Sequence, residues 1–153
     1  MDRFLKFIVV LSTDETTYMI FRFITFMLFV LLFGLIYLAN IGGGIQLRAI
    51  LLEIPHGDKF LHLFLMGTIT AFLNISLDLR KWIILGFPVL AGTSLMTVGI
   101  TLEEISQGFN PYRNFELLDL LSNYIGIFVI GSLPVYLTKV YPNLRGKRQE
   151  ARR

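Results

Sequence analysis

FITFMLFVLLFGLIYLANIGGGIQL, residues 23–47, runs for 25 positions without an aspartate, glutamate, lysine or arginine. Roughly 20 mostly apolar residues in a helix cross a hydrocarbon layer about 30 Å thick, so this stretch can span a membrane on its own. Three further stretches free of those charges follow at Phe60 to Leu77, Trp82 to Leu102 and Leu120 to Thr138, with 18, 21 and 19 residues. Together the four take 83 of the 153 positions. With 54% apolar and 16% charged residues and a mean hydropathy of +0.66, the composition is that of a polytopic membrane protein. It excludes a Rossmann sheet, a barrel enzyme and a disulfide-laced secreted domain. The absence of cysteine removes a thiolate nucleophile and a Cys-ligated metal centre as well.

The pattern predicts an all-α membrane protein with one domain over 1–153. Its expected core is a four-helix transmembrane bundle with spans at about 18–39, 59–77, 82–102 and 119–138, and a basic cytoplasmic tail at 139–153. Phe4 to Leu11, flanked by Arg3, Lys6, Asp14 and Glu15, reads as a short interfacial helix, and Ile45 to Ile54 as an amphipathic or re-entrant segment. The third span is rich in small and hydroxylic residues (Ala91, Gly92, Thr93, Ser94, Thr97, Gly99), which places it in the centre of the bundle, with a kink at Pro88.

Lysine and arginine set the orientation. With both termini in the cytoplasm, 11 basic residues lie inside and only Arg48, Lys59 and Arg113 outside. The same arrangement puts Glu53, Asp58, Glu103, Glu104, Glu116 and Asp119 outside, so the outer face is acidic. The net charge of +3 is concentrated in the tail and implies no nucleic-acid partner. The expected arrangement is multi-pass, N-in and C-in. A cleaved signal peptide does not fit, because Asp14 and Glu15 interrupt the leader and Tyr37-Leu38-Ala39 is a poor cleavage site.

Polar residues gather at the expected outer ends of the spans. Asp58 and His62 are four apart, Glu104 and Gln107 three apart, and Asp119, Asn123 and Gly126 share one stripe. Asp58 and Asp119 suit the first turn of a helix, but Glu104 sits near a helix C-terminus, where the dipole disfavours a negative charge. Arg113 is its expected charge partner. Ionisable groups at membrane depth turn toward a partner or a wet cavity, so the set implies a pocket.

Asp58-Lys59 with His62, Glu104-x-x-Gln107, Pro111-x-Arg113 and Asp119-x-x-x-Asn123 with Gly126 resemble the VanZ-like membrane proteins, over roughly Asp58 to Gly131. The resemblance implies a small integral protein of the bacterial envelope, located in the inner membrane, in a family whose founding members are associated with reduced susceptibility to the glycopeptide teicoplanin. It marks Asp58, Lys59, His62, Glu104, Gln107, Arg113, Asp119 and Asn123 as landmarks and assigns none of them a catalytic role.

The preferred reading is an outward-facing polar pocket that binds an envelope precursor, a lipid headgroup or a glycopeptide, with no cofactor and no metal. An intramembrane enzyme acting on a lipid-linked substrate is the alternative, with His62 as general base, Glu104 as acid and Arg113 stabilising negative charge. Its weakness is the nucleophile, since Ser106 and Ser122 lack any activating context. A metal version would use His62, Asp58, Glu104 and Asp119, an oxygen-rich set suited to Mg, Mn or Ca. A third reading makes the polar set a lock between helices in a subunit or assembly factor of a larger membrane complex.

Overall fold

The computed structural model describes residues 15–43 and 55–140. The expected interfacial helix at Phe4 to Leu11, the segment at Ile45 to Ile54 and the tail beyond Val140 lie outside the described residues. Helix α1, Glu15–Asn40, takes in the first expected span. It ends where Gly42 adopts φ +76°, which lets the Gly43 amide turn back to donate to the Leu38 carbonyl at 2.8 Å. A Cβ on Gly42 would press on the Tyr112 ring at 3.2 Å, so both conformation and space require glycine there. Only 11% of the most apolar stretch of α1 is buried, and Phe23, Phe26 and Phe33 are exposed, as expected of a helix facing lipid.

Helix α2, Gly57–Ser76, returns antiparallel to α1, tied by a Thr25 Oγ1 to Ser76 Oγ hydrogen bond of 2.8 Å and by Phe21 packing on Phe72 at 5.7 Å. Asp78 and Leu79, at φ +60° and +53°, then reverse the chain. Here the expected third span departs from the structure. Lys81–Ile84 (β1) and Phe87–Leu90 (β2) form an antiparallel hairpin, and helix α3 begins only at Ala91 and runs to Gln107. The physical causes lie in the residues themselves. Trp82, Ile83, Ile84, Phe87 and Val89 are strand formers. Leu85 and Gly86 both have positive φ, 51° and 84°, the pattern of a two-residue hairpin turn whose twist matches the strands. Pro88 bends no helix; it sits in a strand of a two-stranded ribbon, where its missing N–H faces an open edge.

The last segment is Leu117–Ile125 (α4), a π-helical stretch at Gly126–Ile130 and Leu133–Val140 (α5). The Gly131 amide donates to the Gly126 carbonyl at 3.1 Å, the wide ring of a π-turn. Among the described residues, three helical stretches are long and apolar enough to cross a membrane: Met19–Asn40, Gly57–Ser76 and Leu117–Leu137. The chain is therefore a mostly helical, multi-pass membrane protein. Helix α3, at 17 residues and about 25 Å, is shorter.

The centre of the bundle is α2, not the third span: α1, α3, α4 and the π-helical stretch all pack on it. The reason is a run of close backbone approaches. A Cβ on Gly126 would collide with the Leu63 carbonyl, one on Gly67 with Ile130, and one on Gly131 with Thr70. The small residues of α3 serve a narrower purpose, because Leu95, Val98 and Leu102 on the same helix are exposed. Leu32, Met66, Ile69, Met96, Ile100 and Ile127 form the apolar core.

The N-cap residues of α3 and α4, Leu90 and Glu116, make no side-chain cap of their own. A neighbouring helix supplies a partner in both cases. Asn74 of α2 accepts the Thr93 amide at 3.1 Å through Oδ1, while its Nδ2 donates to Thr93 Oγ1 and to the Gly131 carbonyl, each at 3.0 Å. Glu104 of α3 accepts the Glu116 amide at 3.3 Å. These bonds satisfy donors that a helix start leaves unpaired.

Candidate functional site

All eight polar landmarks come together at the end of the bundle where α2 and α4 begin and α3 ends. Lys59, in the first turn of α2, puts its ammonium among three carboxylates: Asp58 Oδ2 at 2.5 Å, Glu116 Oε2 at 2.7 Å and Asp119 Oδ1 at 2.6 Å. The contacts with Asp58 and Glu116 are hydrogen bonds, whereas buried Asp119 Oδ1 meets the ammonium as an ion pair and has no hydrogen-bond partner among the described residues. This ties the start of α2 to the start of α4. Asp58 and Asp119 both lie in first turns, where the helix dipole favours negative charge.

One turn further along each helix, His62 Nδ1 donates to Asn123 Oδ1 at 3.0 Å. An amide oxygen only accepts, so with the Asn123 amide placed this way the proton sits on Nδ1. The other ring nitrogen faces Asp119 Oδ2 at 3.8 Å, beyond hydrogen-bond length. The expected His62 and Asp58 face is thus used differently: His62 turns to α4, and Asp58 turns to Lys59.

The two glutamates at the end of α3 divide their tasks in a way that corrects the expected pairing. Arg113 Nη1 donates to Glu103 Oε1 at 3.1 Å, so the cation pairs with Glu103 and not with Glu104. Successive helical residues point about 100° apart. Glu104, fully buried, points at the start of α4, while Glu103 points to the side where the loop carries Arg113. Gln107 Nε2 spans both, donating to Glu103 Oε2 at 2.9 Å and Glu104 Oε2 at 2.8 Å, so the expected Glu104 and Gln107 pair is present. Glu104 lies past the expected third span and outside the three membrane-length helices. Burial raises its carboxyl above the ordinary glutamate range; the Glu116 amide opposes that shift and the neighbouring Glu103 adds to it.

Two cavities open beside this network. A polar basin of about 200 Å³ is walled by Asp58, His62, Gln107, Arg113, Glu116 and Asp119, with Tyr112 and Asn114 at its rim. Next to it, an apolar groove of about 220 Å³ runs between α1 and α2, lined by Leu35, Ile36, Leu61 and Leu65 and reaching Asn123. Ala39, His62 and Arg113 belong to both walls. Lys59 and Glu104 stand behind the basin and hold its walls in register.

Carboxylate oxygens of Asp58, Glu116 and Asp119 lie within 4.8 Å of one another, a set able to ligate a hard cation. It includes neither His62 nor Glu104, so the four-residue metal set expected for the enzyme alternative is not what the fold assembles. The Lys59 ammonium already sits between these three groups. No serine, threonine or cysteine is in either cavity wall among the described residues. Ser106 and Ser122 donate to backbone carbonyls of their own helices, Glu103 and Leu118, so neither hydroxyl is held by His62.

Sequence reasoning missed Glu103, Glu116 and Asn74. The i, i+3 spacing of Glu116 to Asp119 was a readable signal. Asn74, alone in an apolar stretch, carried none beyond being polar at membrane depth. Comparison with protein-family models, curated proteins and solved structures finds no match for this chain.

Proposed function

We propose that this chain is a VanZ-like integral membrane protein of the bacterial envelope whose basin faces outward and binds the polar head of an envelope precursor, a membrane lipid or a glycopeptide. The observation that carries this reading is the convergence of the eight landmarks, from three helices and a loop, around one basin. Five of them, Asp58, His62, Gln107, Arg113 and Asp119, form its wall. Binding is favoured over catalysis because the wall offers hydrogen-bond donors, acceptors and charge, with no serine, threonine or cysteine among the described residues that line it. Lys59 gives the cluster a structural duty as well, so the lock reading is its direct competitor.

The two are separated by Arg113→Gln and Gln107→Leu, scored for protein level in membranes and for small molecules retained on the purified protein by native mass spectrometry. A binding basin predicts near-normal levels with the retained species lost. Reduced levels in both variants, with nothing retained on the wild type, would make the cluster a lock and overturn the proposal.

A further inference from the structure

Two hydrogen-bond acceptors face each other where the basin meets the groove. His62 Nδ1 donates to Asn123 Oδ1, so Nε2 carries a lone pair, and it stands 3.8 Å from Asp119 Oδ2. Neither can bond to the other. Beside them, Arg113 donates through Nη1 to Glu103 and belongs to both cavity walls. The groove that opens from this point is hydrocarbon, lined by Leu32, Leu35, Ile36, Leu61 and Leu65. Resting on the binding proposal above, we infer that the ligand is an uncharged lipid whose head carries hydroxyls on two adjacent carbons, the chemistry of a monoacylglycerol. One O–H donates to His62 Nε2 and the other to Asp119 Oδ2, Arg113 donates to their lone pairs, and the chain lies in the groove.

Charge selects a neutral head. An anion would set its oxygens against a lone pair and a carboxylate, and a second cation would stand beside the Lys59 ammonium, which already lies 2.6 Å from Asp119 Oδ1. Geometry then selects two donor atoms over one. A single nitrogen at about 2.9 Å from both acceptors would see them about 80° apart, narrower than the roughly 120° between the hydrogens of an amide, so both of its bonds would be bent. Two hydroxyls each turn to one acceptor. A hydroxyl also has lone pairs, and the bond to Glu103 uses one of the guanidinium's five N–H groups, so Arg113 keeps donors for the same head. The groove, about 220 Å³, is larger than the roughly 150 Å³ apolar cavity that takes up benzene, so a segment of a fatty chain fits.

The test uses the full chain in amphipol, so that no free detergent competes for the groove, with ligand-induced thermal stabilisation as the readout of affinity. The probes are 1-O-octylglycerol, its 2-O-methyl ether, 1-O-butylglycerol, nonanamide, octylamine and octyl phosphate. The octyl diol should bind at least about tenfold tighter than the butyl diol, the gain expected from burying two or more additional methylenes. It should also bind at least about tenfold tighter than the methyl ether, which leaves one of the two acceptors without a donor. Leu35→Trp, which fills the groove, should bring the octyl diol down to the affinity of the butyl diol. Leu61→Phe on the exposed wall repeats the test if the first variant does not fold. Equal affinity for the octyl and butyl diols would keep the polar-basin proposal and overturn this inference, because the groove would then hold no chain. Equal affinity for the methyl ether, or tighter binding of the amide, the amine or the phosphate, would overturn the assignment of the head and leave the basin a binding site. No stabilisation by any of the probes would count against both.

Discussion

Replacing Asn74 by alanine removes a side chain that is 1% exposed and makes three hydrogen bonds, to the Thr93 amide, the Thr93 hydroxyl and the Gly131 carbonyl. Side-chain hydrogen bonds between membrane helices average about 0.6 kcal/mol each, so three bonds alone come to roughly 2 kcal/mol. The larger effect is what the change strands. The Thr93 amide, in the first turn of α3, has no acceptor within its own helix and no side-chain cap from Leu90 to replace Asn74; a stranded buried donor costs about 1–3 kcal/mol. Asn74→Ala should therefore destabilise the protein by about 3–5 kcal/mol. Thr93→Val, which keeps the amide bond and loses only the hydroxyl, should cost about 1 kcal/mol. Reversible unfolding in mixed micelles titrated with a denaturing detergent measures both. Hydrogen exchange at the Thr93 amide should rise in Asn74→Ala and stay slow in Thr93→Val. An Asn74→Ala cost no greater than that of Thr93→Val would show that α3 does not depend on a cap from its neighbour.

Glu104 gives a pH prediction. Its carboxyl is raised, so the folded state binds a proton more tightly than the unfolded chain; the associated stability is complete below the ordinary glutamate value of about 4.3 and is lost as pH rises through the folded value. Glu104→Gln cannot ionise, so it should match or exceed wild-type stability at pH 8 and lose that advantage toward pH 4, and the opposite trend in unfolding experiments would mean the ionised form is the one stabilised. Gly126→Ala should cost about 1–3 kcal/mol by forcing the π-helical stretch off the Leu63 carbonyl, whereas Gly34→Ala, with nothing within 4 Å, should be neutral or stabilising by up to about 1 kcal/mol; equal melting shifts would refute the close-approach argument. Single cysteines in this cysteine-free chain report sidedness. An impermeant thiol reagent on intact cells should label Asn114→Cys at the basin and not Leu85→Cys on the hairpin, and the reverse pattern would turn the basin to the cytoplasm.

Charge-free runs made α1, α2 and the last helical segment readable, because a hydrocarbon layer imposes a minimum length on apolar sequence. The same measure concealed the hairpin: counting charges between Trp82 and Leu102 does not register that Leu85-Gly86 and Pro88 suit strands and a tight turn. Six of the eight landmarks were legible as a set because Asp58 and His62, Glu104 and Gln107, and Asp119 and Asn123 follow helical spacings and all fall at one end. Their partners were not. Glu103 and Glu104 are neighbours in sequence, and which of them meets Arg113 depends on how α3 is rotated against α4. Asn74 could be recognised as a cap only once α3 was known to start at Ala91, a boundary set by the hairpin before it. The central place of α2 likewise follows from Gly67 meeting Gly126 and Ile130, a match between distant segments that neither one displays alone.

The hairpin at Lys81 to Leu90 also acts as a depth gauge. Among the described residues, two strands alone leave two rows of amides and carbonyls without strand partners, which hydrocarbon does not tolerate, yet Trp82, Ile83, Leu85 and Phe87 present apolar surface that water does not favour. Only the headgroup zone meets both demands, and Arg80 and Lys81 at its base suit the same layer. The ribbon thus pins one end of α2 at a lipid boundary. A helix of 20 residues reaches about 30 Å from there, so its other end, with the basin, emerges at the opposite boundary. Shortening the ribbon should let the whole bundle slide along the membrane normal, moving the mouth of the basin relative to the headgroups without altering a residue in its wall.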